Sequence, residues 1–168
     1  YDGAVAYRFV ARQPGKVLVA GEEARFRFAP GAVAFVPYVR DTPCMHDGLA
    51  FGEQFMQSFE NTYTRTPLCE MDSARLAFLP LLVQTAGGVN VCITDADLES
   101  YPGMFLHRSG ADELEGVFAP SPRKVVPGGY DRMQGVVEEY EPFIASLAPG
   151  DRLPWRALSI VRQDTRLA

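Results

Sequence analysis

At 168 residues, 18.5 kDa and 47% hydrophobic content, the chain is long enough for one sizeable core and too apolar for a disordered segment. Its 16 basic and 21 acidic residues, with a pI near 5.0, leave no single-sign basic face to neutralise phosphates, which argues against nucleic acid as a partner. No apolar run approaches the roughly 20 residues a bilayer span requires, residues 76–83 being interrupted by Pro80, so no membrane span is expected.

The chain opens on Tyr1-Asp2-Gly3, a turn signal, and leads straight into a strand, so it reads as a piece of something longer. Residues 4–12 (AVAYRFVAR) set Tyr7, Phe9 and Ala11 against Arg8 and Arg12, and Pro14-Gly15 turns the chain. Residues 16–20 form a second short strand. Ala24, Phe26 and Phe28 then alternate with Arg25 and Arg27, a half-buried strand closed by Pro30-Gly31. Residues 32–39 continue in the same manner, Pro37 marking an edge strand or a strand end. The arginines Arg8, Arg25 and Arg27 read as solvated faces or as contacts to parts of the protein beyond this chain.

Residues 40–52 lose periodicity and read as a surface loop. In residues 52–67 Phe55, Phe59 and Tyr63 fall four apart as on a helix, but the all-β surroundings favour a strand or bent hairpin. Residues 76–85, Gly87-Gly88 and residues 89–94 make the strongest hairpin signal, because glycine supplies the positive φ of a tight turn. Further short strands are expected at 104–107, 115–119, 133–140, 144–147 and 153–161, with a loop over 123–131. Trp155, inside an apolar strand, is expected in the core. Many short strands with Gly/Pro turns and almost no helical periodicity predict an all-β fold, a large antiparallel β-sandwich occupying residues 1–168 as one domain.

The densest chemistry lies at residues 89–106. Val89, Val91 and Ile93 alternate with Asn90, Cys92 and Thr94, and Asp95, Asp97 and Glu99 follow at the carboxyl end of that strand. Hard oxygen ligands are thereby mounted on a sheet rim. An EF-hand is excluded, since Ser100 stands where its glycine belongs and Leu106 at its twelfth position. Spacing alone favours a solvated acidic turn in which Asp95 or Asp97 caps backbone N–H groups. Cys44-Met45-His46-Asp47 invites a thiolate–imidazole or zinc reading, but nothing completes such a site, and the three cysteines (Cys44, Cys69, Cys92) form neither a CxxC nor a disulfide framework. No GxSxG, P-loop, GxGxxG or HExxH occurs.

The run ITDADLESYPGMFL resembles the amino-terminal domain signature of glycoside hydrolase family 97, and AYRF, FENTYT, LAFLPLLV and PWRALSI are similar to further landmarks of that domain's super-sandwich. The resemblance implies a non-catalytic β-sandwich followed, in the same polypeptide, by a (β/α)8 barrel holding the catalytic carboxylates. It also implies that the acid at position 95, a glutamate in the family and Asp95 here, binds a calcium ion shared with the barrel. Asp97 and Tyr101 beside it are then candidates for the substrate cleft, the substrate an oligosaccharide α-glucoside or α-galactoside, and the compartment periplasmic or extracellular. This chain alone is expected to be inactive. The competing readings are a stand-alone carbohydrate-binding or interaction sandwich, with the tyrosines as a stacking platform, and a bare scaffold.

Overall fold

The computed structural model describes residues 3–39 and 50–163, Tyr130 by its backbone alone; the Cys44-His46-Asp47 candidate lies outside the described residues. Thirteen strands appear there, and every pairing between them is antiparallel. Six make the principal sheet: β1 (Ala4–Tyr7), β13 (Trp155–Val161), β7 (Asn90–Ala96), β6 (Leu81–Gln84), β4 (Val33–Val36) and β5 (Thr64–Pro67), side by side in that order. The second layer is β3 (Arg25–Arg27), β9 (Glu113–Phe118) and β8 (Met104–Gly110). A short pair, β12 (Ala145–Leu147) with β2 (Val17–Val19), lies beside it, and β10 (Pro122–Gly128) pairs with β11 (Gln134–Tyr140) as a two-stranded arm.

The alternation in sequence decides which face of each strand is buried. Register places Leu81 opposite Ile93, and Val83 opposite Val91 on β7 and Ala34 on β4, so one side of the principal sheet is continuously apolar. That side packs on Phe26, Met104, Leu106 and Leu114 of the second layer. Burying each such Leu or Ile contributes roughly 1.5–3 kcal/mol, which is why the in/out pattern holds the register. The β6–β7 hairpin closes as its glycines demand: Gly88 has φ 73°, and its N–H donates to the Thr85 carbonyl at 2.9 Å.

The structure departs from the sequence expectation in four places. Of residues 52–67, expected as a strand or bent hairpin, Thr64–Pro67 is strand β5 but no hairpin forms, and Phe51–Gln54 is a single helical turn, α1, whose Gln54 side chain reaches in to donate to the Ala74 carbonyl (2.7 Å) and accept from Leu76 N–H (2.8 Å). The aromatics spaced four apart do not extend a helix: Phe55 caps α1, Phe59 and Tyr63 lie beyond it, and Phe55 and Phe59 pack on Phe105. Residues 123–131, expected as loop, are mostly strand β10, hidden because both faces are solvated and no alternation results. Strand β1 stops at Tyr7, leaving Phe9 and Val10 exposed. Trp155 is not core but 36% exposed: register puts Arg156, its neighbour, on the inner face instead.

Candidate functional site

Period-two alternation carries Val91, Ile93 and Asp95 to the same inner face of β7, so the carboxylate lies at the rim where the apolar stripe runs out. The strand ends immediately afterwards, because Asp97 adopts φ 63°, a left-handed conformation that aspartate tolerates better than most residues. The chain returns as β8, and the first N–H of that strand, on Met104, donates to Asp95 Oδ2 at 2.9 Å. One carboxylate thus ties together the rims of the two layers.

Directly opposite Asp95 on β13 stands Arg156, 1% exposed. A buried guanidinium is tolerable only when its donors and its charge are matched. Its Nε and Nη2 donate to the two oxygens of Glu22 at 2.8 and 2.7 Å, and its Nη1 donates to Asp95 Oδ2 at 3.3 Å. Glu22 comes from the segment between β2 and β3, and its side chain is 5% exposed. The rings of Phe118 and Tyr101 flank the guanidinium, 5.0 and 5.8 Å from it. Two carboxylates therefore face one guanidinium, a formal surplus of one negative charge. Tyr101 closes the group: burial, then the charge of Glu22 and a hydrogen bond to it, hold its phenol above the ordinary tyrosine range. Burial and Glu22 also raise Tyr7, with Arg156 opposing.

The candidate residues separate. Asp95 joins Arg156, Glu22 and Tyr101. Asp97 does not; it pairs with Arg8 at 3.2 Å, and that guanidinium lies 4.5 Å over Trp155. Glu99 is exposed. Tyr101 is buried, yet its edge reaches two grooves. One, of about 450 Å³, also touches Ser100, Pro102, Ser121 and Ile144; the other, of about 330 Å³, touches Phe9, Glu22, Glu23 and Leu153. Glu22 and Arg156 escaped the sequence reading. A charged residue in the middle of the apolar run LPWRALSIV was the available signal for Arg156, whereas nothing local distinguishes Glu22 from Glu23.

For the implied calcium the donor set is partial. No group of three His, Cys, Asp or Glu side chains among the described residues converges to hold a metal. Asp95 is a hard oxygen ligand whose Oδ2 is committed to Met104 and Arg156, while Oδ1 receives no hydrogen bond from the described residues. The residues fit one ligand lent to a shared site.

The family described as glycosyl-hydrolase 97 N-terminal matches residues 1–168. A curated relative, a retaining alpha-galactosidase of Bacteroides thetaiotaomicron, is 40% identical over 169 aligned residues, covering 100% of this chain and 25% of the relative. The chain thus spans about a quarter of that protein's length. Among solved structures, a glycoside hydrolase family 97 enzyme from a Pseudoalteromonas strain, in complex with acarbose, superposes with a TM-score of 0.57 at 18% identity, covering 97% of this chain and 20% of that one. A variant of the same enzyme gives the same values. These structural likenesses establish the fold.

Proposed function

Because the chain belongs to the glycosyl-hydrolase 97 N-terminal family, we propose that it serves as the non-catalytic β-sandwich of a calcium-dependent α-glycoside hydrolase, beside a (β/α)8 catalytic barrel of the same polypeptide. An α-galactoside is the substrate we favour over an α-glucoside, on the name of the 40% identical relative. The periplasm or the extracellular space is the compartment we propose, by family resemblance.

In this reading Asp95 lends one carboxylate oxygen to a calcium ion at the interface with the barrel, and the rim beside it, Asp97 and Tyr101, walls part of the substrate cleft. The supporting observation is the charge count: Glu22 and Asp95 share a single guanidinium, so the Asp95 rim carries an unmatched negative charge that a divalent cation offsets. Bound there, calcium supplies fixed positive charge next to the substrate. The chain's own residues do the holding: Met104 N–H and Arg156 fix Oδ2, and Arg8 restrains Asp97 at the turn.

In the complete enzyme, Asp95→Ala is expected to weaken calcium binding and reduce turnover together. Titration calorimetry on chelator-stripped protein, beside hydrolysis of an α-galactoside, reads both; full activity of the native enzyme in chelator sinks the calcium role.

A further inference from the structure

The buried pair Glu22–Arg156 lies behind Asp95, and in the reading above Glu22 enters only as one of the two charges that share Arg156. We propose that Glu22 is a positioning residue for the cation site: by taking two donors of the Arg156 guanidinium, it keeps Arg156 from claiming the whole Asp95 carboxylate, so that Asp95 retains an oxygen for the metal. This rests on the calcium reading and deepens it.

The geometry is specific. A guanidinium prefers a two-pronged grip on one carboxylate, with parallel N–H donors at about 2.8 Å. Arg156 makes that grip on Glu22, at 2.8 and 2.7 Å, and reaches Asp95 with one remaining donor at 3.3 Å. Were Glu22 neutral, the only carboxylate left against the buried cation would be Asp95. The guanidinium would turn its fork there, cancel the surplus negative charge and repel a divalent ion from the same group. Glu22 is itself held in place. Tyr101 lies beside it, its phenol pKa raised by burial, then by the charge of Glu22 and hydrogen bonding with it, and the rings of Tyr101 and Phe118 lie 5.8 and 5.0 Å from the guanidinium. All three charged side chains are at least nine-tenths buried, so water screens them weakly.

The test compares Glu22→Gln, isosteric but uncharged, with Asp95→Asn in the complete enzyme, reading calcium affinity by calorimetry and the calcium-induced rise in Tm. Expected for Glu22→Gln is a calcium Kd raised about 10- to 100-fold with a smaller calcium-induced Tm rise, the range typical of residues that orient a metal ligand. A merely structural glutamate would lower Tm in chelator and leave the affinity unchanged. Native affinity in Glu22→Gln, with Asp95→Asn impaired, overturns the positioning role and leaves the calcium site standing. Native affinity in both variants removes the site itself. Should Glu22→Gln fail to fold, Tyr101→Phe decides: a loss of about 2- to 10-fold supports the role, as one lost hydrogen bond to Glu22 predicts, and unchanged affinity overturns it.

Discussion

Arg156 sits at the centre of the most deeply buried ion pairs among the described residues. Truncating it would leave Glu22 and Asp95 as two buried carboxylates without a counter-ion, the costly half of a broken buried pair. Arg156→Ala is expected to cost about 3–5 kcal/mol in urea denaturation, well beyond the loss of an exposed pair such as Arg25–Glu115. A second consequence concerns alkaline pH. The folded-state pKa of Tyr101 is raised above its unfolded value, so the folded protein binds that proton more tightly. Stability from this group is complete below the unfolded tyrosine value near pH 10 and declines as pH rises beyond it. Tm measured between about pH 9 and 11 is expected to fall, and Tyr101→Phe to flatten part of that fall while Tyr7, Tyr38, Tyr63 and the half-buried Cys92 thiol, all raised in the same direction, retain the rest.

Among the elements, the β10–β11 arm stands apart. Its strands pair with each other, and Val125, Met133 and Val136 are exposed along it. The ion pairs Arg123–Glu139 and Lys124–Glu138 are solvated and contribute little. Anchorage comes from its root, where Ser121 N–H donates to Phe143 O (2.9 Å) and Glu141 N–H to Ser121 O (2.8 Å). Replacing residues 123–139 with a short glycine-containing turn is therefore expected to change unfolding free energy by less than about 1 kcal/mol, because none of the described side chains in that stretch is buried. A fall of several kcal/mol would show that the arm is part of the core. By contrast, Ile93→Ala in β7, at 1% exposure against Leu81 and Leu158, is expected to cost about 2–5 kcal/mol. These two elements also show what local pattern conveys. In β7 the alternation in VNVCIT reports a buried face; in β10 solvent on both sides erases it.

At the scale of the molecule, the inner face of the principal sheet continues past β13 to β1, where the described second layer no longer covers it. Register puts Val5 opposite Leu158 and Tyr7 opposite Arg156 on that face, yet Val5, Tyr7 and Ile160 are exposed. Apolar side chains on an edge strand are sites for association. The isolated domain is expected to bind a hydrophobic dye and to self-associate at high concentration, and Val5→Lys to reduce both in dye fluorescence and size-exclusion chromatography; a dye-silent monomer would contradict this.

The amino-acid sequence by itself determined the all-β antiparallel class, the Gly87-Gly88 hairpin, the apolar stripe of Val91 and Ile93, and the placing of Asp95 at a strand end, because each follows from side-chain alternation and turn geometry within a dozen residues. It did not reveal that Arg156 rather than Trp155 points inward, since the alternation in PWRALSIV serves either face until the register with β7 selects one. Nor did it reveal Glu22, which meets Arg156 across 134 residues. A buried charge chooses its partner by proximity in three dimensions, and only the folded sheet brings those three side chains within hydrogen-bonding distance.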